Sequence, residues 1–538
     1  MRLRWHWLGF AALLAAEFHL FDRMTSAHHA WVYPRWNDQI QYLTEAYTAY
    51  EQAQTDGVVP ALAGTLTNAS AQGTLHDFWA LLVFLVAGPS RSAALSVNLL
   101  AFVAWQAALF WAVLRSGAPR PAAWLAALLP LALRGPWAAV PGGAIDFRLD
   151  HLALCMLGVT SAAALATDGF RQRRASLLLG LAVGLTLITR FLTGTYFAVL
   201  FGLALLWLAR GPERAIRLRN LLAAAAVAAA VAAPVFWVNR DWVWNYYFIG
   251  HFVGPESALR APNFGLGRSL AFVLGHWQRD HLGLAFWLIP GAAAGALALL
   301  APLRRAAVPA ASHFRPGEWA GVGAAFLFAP LLVLTLHTQK SEVVLSSLTP
   351  GLVLALAAGL TTLVTRTPAG WRPTLVAVLA GAAACTHFAR AQGQTPYDAG
   401  FVAEARAVNT VADQIYASAR RAGLGRPHLG VDHVTDALDA QILRVICYER
   451  HRRWVPFDMK LPTGIMTESE AVLLARLQDC DFFFLTDPPA GDGRWPYDRD
   501  MRRLHPALKQ WCEHHLKPVR TLQLAERSLT LYQRREIE

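Results

Sequence analysis

Apolar residues in this chain come in blocks about 20 long, set apart by short polar stretches. LLAAAAVAAAVAAPVFWV at Leu221–Val238 and LTPGLVLALAAGLTTLV at Leu348–Val364 show the density. A helix needs about 20 such residues to cross a bilayer core about 30 Å thick. Following the blocks predicts about eleven spans, near 5–21, 94–114, 121–134, 151–167, 176–190, 193–209, 220–238, 283–301, 317–336, 343–364 and 373–389. The first block is followed by the bulky, charged EFHLFDRMTSAHHAWVY and no small-residue cleavage site, so it reads as an uncleaved span.

Between the first two spans, residues 22–93 form a long loop with two helical patterns. In DQIQYLTEAYTAYEQA, Ile40, Leu43, Tyr47 and Tyr50 recur at helical spacing. HDFWALLVFLVAG at 76–88 is apolar but short for a crossing, as expected of a segment at or re-entering the interface. From about Thr395 the pattern changes. PHLGVDHV, CDFFFLTD and SLTLYQRR read as strands between helical stretches at 399–422, 436–449, 468–478 and 499–515, which predicts a small α/β domain. The expected organisation is thus mainly α: a polytopic helix bundle over residues 1–390 and a soluble α/β domain over 391–538.

Charge adds sidedness. The chain is 55% hydrophobic with 16% charged residues and a formal net charge of +12. The excess basic residues lie in the membrane half, in every second loop: MRLR, RSGAPR, DGFRQRR, RGPERAIRLR, PLRRAAVPAASHFR and TRTPAGWR. The positive-inside rule makes those loops and the N-terminus cytoplasmic, and an odd number of spans puts the C-terminal domain in the periplasm or outside the cell. The positive charge therefore reports topology and speaks against nucleic acid. His28-His29 and His514-His515 lack partners at zinc-ligand spacing, and no metal centre is expected from them.

Several segments, taken in order, resemble the GT-C membrane glycosyltransferases, especially the bacterial relatives of protein O-mannosyltransferases and of the lipid A aminoarabinose transferase. They are an early Asp38 in the first external loop, then Gly73, Leu75, His76, Gly88, Ser90, Ala94, Leu95 and Asn98, then GLAVGLTLITRFLTG at 180–194 and HTQKSEVVLSSLTPGLVLALAAG at 337–359. The resemblance covers roughly residues 1–390. It departs at Gln39, where a second acidic residue is common, at Arg190, where a lysine is usual, and in the late segment, which lacks the usual tyrosine and first proline.

The resemblance implies an integral inner-membrane enzyme that transfers a sugar from a polyprenyl-phosphate donor to a glycolipid, polysaccharide or protein acceptor. Such a reaction needs a base for the acceptor hydroxyl and cations for the departing phosphate. Asp38 is the candidate base, although Asp38-x-x-Gln41 also fits a capping box. Asp146 and Asp150, around Arg148 in the second external loop, are the further acidic candidates, and the alternative for them is a juxtamembrane ion pair. Arg148, Arg190 and Lys340 are candidate phosphate ligands, with Glu342 beside Lys340 and His76 in the first motif. A divalent cation would fit between two carboxylates facing one cavity, though nothing in the spacing demands one. Trp242, Trp244, Tyr246 and Tyr247 read as an interfacial belt. Two rival expectations are a transporter or flippase for lipid-linked sugars and a non-catalytic scaffold whose outer domain binds a partner.

Overall fold

A computed structural model of the chain describes residues 2–28, 37–68, 70–137, 140, 142–208, 213–253, 265–291, 293, 295, 316–391, 399–425, 427–432, 440–451, 458–459, 469–489, 496–523 and 527–537. It divides into two units, Met1–Thr25 with Ala46–Gln394, and Ser26–Glu45 with Thr395–Glu538. One boundary falls between Gln394 and Thr395. The short segment Ser26–Glu45, expected with the membrane half, belongs instead to the unit that holds the C-terminal domain.

The helices of the first unit run in chain order as α1 (Arg2–His28), α2 (Asn37–Thr55), α3 (Val58–Thr67), α4 (Leu75–Ala87), α5 (Arg91–Arg115), α6 (Arg120–Leu128), α7 (Leu149–Ala166), α8 (Arg173–Thr189), α9 (Thr193–Leu208), α10 (Arg214–Val243), α11 (Leu266–His276), α12 (Pro316–Leu336), α13 (Thr349–Arg366) and α14 (Arg372–Ala391). The N-terminal turns of α2 and the end of α1 fall to the other unit. Among the described residues, Arg91–Arg115, Leu149–Ala166, Arg214–Val253, Gly317–Leu336 and Val343–Arg366 are long and apolar enough to cross a membrane, and several shorter apolar helices accompany them. The protein is a multi-pass membrane protein. The expected span at 121–134 is a nine-residue helix followed by a 3-10 turn, Leu129–Ala132, where Pro130 removes a helix donor. Of the expected span at 283–301, residues 283–291, 293 and 295 are described, and they include a 3-10 turn, Leu284–Trp287. Beyond α10 the chain continues as a π-helix, Trp244–Val253.

In a bilayer, helices associate by close packing more than by expulsion of water, so small residues mark the contacts. Gly180 and Gly184 of α8 are one turn apart. A Cβ on Gly180 would lie 2.3 Å from the carbonyl oxygen of Ala224, and one on Gly184 2.7 Å from Val231. These glycines seat α8 directly on the alanine-rich face of α10. Gly323 and Gly351 join α12 to α13 in the same way, and Gly158 of α7 receives the indole of Trp105 on α5. Thr160 and Thr186 hydroxyls, 3.0 Å apart, bridge α7 and α8.

The second unit carries α15 (Ala399–Arg421), α16 (Ala440–His451), α17 (Glu470–Leu477) and α18 (Pro496–His515) around β1 (His428–Val431), β2 (Asp458–Met459), β3 (Phe482–Asp487), β4 (Leu516–Gln523) and β5 (Ser528–Arg534). The strand order is β2-β1-β3-β5-β4. β1 is parallel to β2 and β3, while β5 runs antiparallel to both β3 and β4. Every β3 residue from Phe482 to Thr486 is buried, as in a strand covered on both faces. Leu473, Leu477, Phe483, Leu485, Leu508 and Trp511 form a core between α17, α18 and the sheet. β4, whose register with β5 shifts between Pro518 and Arg520, is a polar outer strand that the sequence pattern does not announce.

Two outcomes follow from this packing. Replacing Gly180 with leucine wedges α8 from α10 and should destabilise the purified protein by about 1–3 kcal/mol, whereas the same change at Gly202, whose Cβ would meet nothing within 4 Å, should leave the melt unchanged. In the second unit, a hydrogen bond from Lys509 at 2.5 Å holds the Asp487 carboxyl below the usual carboxylate range. A depressed folded pKa gives stability that is present above the unfolded value, about 4, and is lost as pH falls through the folded one. Both groups are partly exposed, so the contribution should be under about 1 kcal/mol. An Asp487→Asn variant should differ from wild type in urea midpoint at pH 7 and converge with it in acid.

Candidate functional site

Loop 142–148, which leads into α7, is held from below by Asn98 of α5. Its amide donates to the carbonyls of Ala144 at 2.9 Å and Asp146 at 3.1 Å. Ser90 caps α5 by accepting from the Ala93 N–H, and Gly88 supplies a left-handed turn just before it. The residues that carry the family resemblance thus form the scaffold on which this loop rests.

Asp146 is almost fully buried. Its carboxylate accepts from the Gly142 N–H at 2.7 Å and from Arg148 Nε at 2.9 and 2.7 Å, with Arg148 Nη2 at 2.5 Å. Gly142 has φ of +77°, and a Cβ there would lie 2.7 Å from the Val343 carbonyl and 3.5 Å from Asp150 Cβ. Only glycine suits that backbone and that space. Asp146 and Arg148 therefore neutralise one another, as the ion-pair reading expects, and their pairing shapes the loop beside Asp150.

Asp150 lies in the first turn of α7, 5% exposed, with Oδ1 3.3 Å from Nε of Arg190. Arg190 follows the last residue of α8, at the same end of the bundle. Its Nη1 donates to Gln72 Oε1 in a very short contact, and Gln72 Nε2 donates to the Tyr246 hydroxyl at 3.1 Å. Gln72 is itself fixed by its backbone. Its carbonyl accepts from Phe191 N at 2.8 Å, and two residues on Thr74 N donates to Ile188 O at 2.9 Å. Gly73 sits so close to the α8 terminus that a Cβ would be 2.0 Å from the Thr189 carbonyl. Asn239 Oδ1 accepts from Ser70 N at 2.7 Å. Tyr196 and Tyr247 lie within electrostatic range of both Asp150 and Arg190. The Tyr196 hydroxyl is 3.4 Å from Ser347 Oγ, which donates to the Val344 carbonyl.

The remaining candidates take other positions. Lys340 directs its ammonium at the carbonyls of Leu334, Thr335 and His337, at 3.0, 2.9 and 2.5 Å. It closes the C-terminus of α12, where the helix dipole favours a cation. Glu342 precedes the 3-10 helix Val343–Leu348, and its carbonyl accepts from His281 Nε2 at 3.1 Å. Burial holds the His281 imidazole below its ordinary range, so it donates there as a neutral ring. His76 is buried against Phe147, with ring centroids 4.0 Å apart. Asp38 is exposed in the first turn of α2 and belongs to the second unit. The expected capping box does not form. Asn37 is already helical, so Asp38 lies inside α2, and Gln41 turns its amide to Glu45 at 2.8 Å.

The structure therefore brings together Asp146, Arg148, Asp150 and Arg190 in the first unit. It adds Gln72, Tyr196 and Tyr246, of which sequence reasoning had Tyr246 only as an interfacial aromatic. Trp242 and Trp244 are exposed, as such a belt requires. Among the described residues no three metal-capable side chains cluster, and both buried carboxylates are engaged by arginines.

No protein-family model and no curated protein matches the sequence. Among solved structures the chain is similar to ArnT from Cupriavidus metallidurans in the apo state, at 13% identity and a TM-score of 0.58, over 99% of this chain and 98% of that one. It is similar also to ArnT from the same organism bound to undecaprenyl phosphate, at 14% identity and a TM-score of 0.59, with the same coverage. At such identity the likeness is one of fold.

The buried pair makes an energetic claim that a double-mutant cycle checks. Asp150→Ala removes the carboxylate beside the buried Arg190 and should cost about 3–5 kcal/mol. Removing both partners, as Asp150→Leu with Arg190→Leu, should cost clearly less in the same thermal melts; strictly additive losses would mean that the two do not interact.

Proposed function

We propose that the protein is a membrane glycosyltransferase that uses a polyprenyl-phosphate-linked sugar and works at the non-cytoplasmic face. The observation that carries the reading is Arg190. It is a guanidinium with its side chain 13% exposed, held between Asp150 and Gln72 at one end of a GT-C bundle. An Arg fork suits a phosphate oxygen pair. Similarity to ArnT bound to undecaprenyl phosphate supports a lipid phosphate as the donor's carrier.

In the proposed reaction an acceptor hydroxyl attacks the anomeric carbon as the bond from that carbon to the phosphate oxygen breaks. The electron pair leaves with the polyprenyl phosphate, whose growing charge Arg190 offsets, while a carboxylate takes the hydroxyl proton. Asp150 is occupied by Arg190 and is cast as its positioning partner. Asp146 is likewise engaged by Arg148. Asp38, in the first turn of α2, is the base that the sequence resemblance offers. Glycolipid, polysaccharide and protein hydroxyls all fit the acceptor's part.

Membranes supplied with radiolabelled polyprenyl-phosphate sugars and a panel of acceptors test this reading. Arg190→Gln should lower transfer by about 100-fold or more, Arg190→Lys should retain part of it, and Asp38→Asn should abolish most of it. Undiminished transfer in Arg190→Gln removes the phosphate role. A complete lack of transfer from every polyprenyl donor, in wild-type membranes containing folded protein, removes the class.

A further inference from the structure

The opposite end of α8 carries a second cationic constellation. α8 has 17 residues from Arg173 to Thr189, so its start lies about 25 Å along the helix from Arg190 at 1.5 Å per residue. Just before it, Asp168, Gly169 and Phe170 form three consecutive left-handed residues, with φ of 50°, 62° and 66°. That conformation is costly outside glycine and is held from α10. Arg217 Nε donates to the Gly169 carbonyl at 2.7 Å, and Asn220 Nδ2 to the Phe170 carbonyl at 2.7 Å.

Arg217 is 97% buried by its own neighbours, being 3% exposed, and its guanidinium stacks on the Trp207 ring at 4.3 Å. Yet Nη2 has no hydrogen-bond partner among the described residues. Of the nearby carboxylates, Glu213 and Asp168 are engaged by Arg171, and Glu318 is in electrostatic range of Arg217. Arg173, Arg174, Arg214 and Arg219 are exposed around it, and none has an ion pair among the described residues. Two long helices, α8 and α10, begin here and add the positive ends of their dipoles. Beside the cluster, Leu178, Leu181, Leu206, Trp207, Ile216 and Leu222 expose apolar side chains in the manner of a lipid-facing wall.

We propose that this cluster binds the phosphate headgroup of an anionic membrane phospholipid, with the acyl chains lying on the apolar wall. Four exposed arginines and a buried guanidinium, half-satisfied among the described residues, at the base of lipid-facing helices fit a phosphodiester. They fit a zwitterionic headgroup less well, because its ammonium would meet the same positive field. The site is independent of the transfer reaction: it stands on the cationic end of α8, far from Arg190.

The test is native mass spectrometry of the full-length protein in detergent, titrated with phosphatidylglycerol or phosphatidylethanolamine. Wild type should retain phosphatidylglycerol preferentially, and Arg173→Gln with Arg174→Gln and Arg214→Gln should lower its affinity by about fivefold per charge removed. These exposed changes spare the loop, so the fold is kept. Millimolar inorganic phosphate should not displace the lipid. Equal retention of the two lipids, unchanged affinity in the triple variant, or displacement by inorganic phosphate would each overturn the proposal, the last by assigning the site to free phosphate.

Discussion

Two charges that have left water at the end of a helix bundle set most of what surrounds them. Asp150 and Arg190 end adjacent helices in nearly water-free surroundings, where either alone would be strongly unfavourable. One carboxylate does not satisfy a guanidinium with five donors. The fork therefore recruits Gln72 from a loop more than 100 residues earlier, and Gln72 in turn recruits Tyr246 from the π-helix after α10. Four separate stretches of chain thus converge on one cation. The glycines follow from that convergence. Gly73 lets the Gln72 loop touch the end of α8, and Gly142 lets the neighbouring loop tuck under Asp150.

Two aspartates four residues apart play different parts for a geometric reason. Asp146 precedes the helix and finds Arg148 and a backbone N–H within its own loop, closing a local ring. Asp150 is already helical, and its side chain leaves the loop to meet another element. A sequence with both acids reversed in these surroundings would lose the loop shape and the long-range pair together. The arrangement leaves Arg190 oriented but not saturated by carboxylate, which is the condition for an arginine that must also receive an incoming anion.

Much of this architecture was legible in the pattern of residues. The three strand segments read from short apolar runs appear as β1, β3 and β5, and the four helices between them appear within a few residues of their expected positions. Local periodicity carries that information because burial of one element repeats along it. The Asp146–Arg148 pair was legible too, since its partners are two residues apart. What stayed hidden was long-range or terminal. The Gln72–Tyr246 hydrogen bond spans 174 residues and leaves no periodic trace. Lys340 reads as a free cation until the end of α12 is known, because capping depends on where the last carbonyls point. Asp38 read as a candidate base that could also cap a helix, and α2 already includes Asn37 and Asp38, which removes the capping role. The family resemblance named Gly73, Ser90 and Asn98 without saying why. Their reasons are a collision avoided, a helix capped and a loop suspended.

The outer strand of the second unit limits how that unit meets other chains. β4 is the last strand on its side of the sheet, and an unprotected edge invites further strands by offering a row of unpaired peptide groups. Lys517 and Arg520 place charge along it, Pro518 lacks a donor, and the irregularity between Pro518 and Arg520 interrupts the ladder. The sheet is thereby guarded against growing by strand addition on that side, including the runaway form that ends in aggregation. Any lasting association of this unit through that side must use side chains and helix faces, where recognition is selective, in place of the promiscuous backbone.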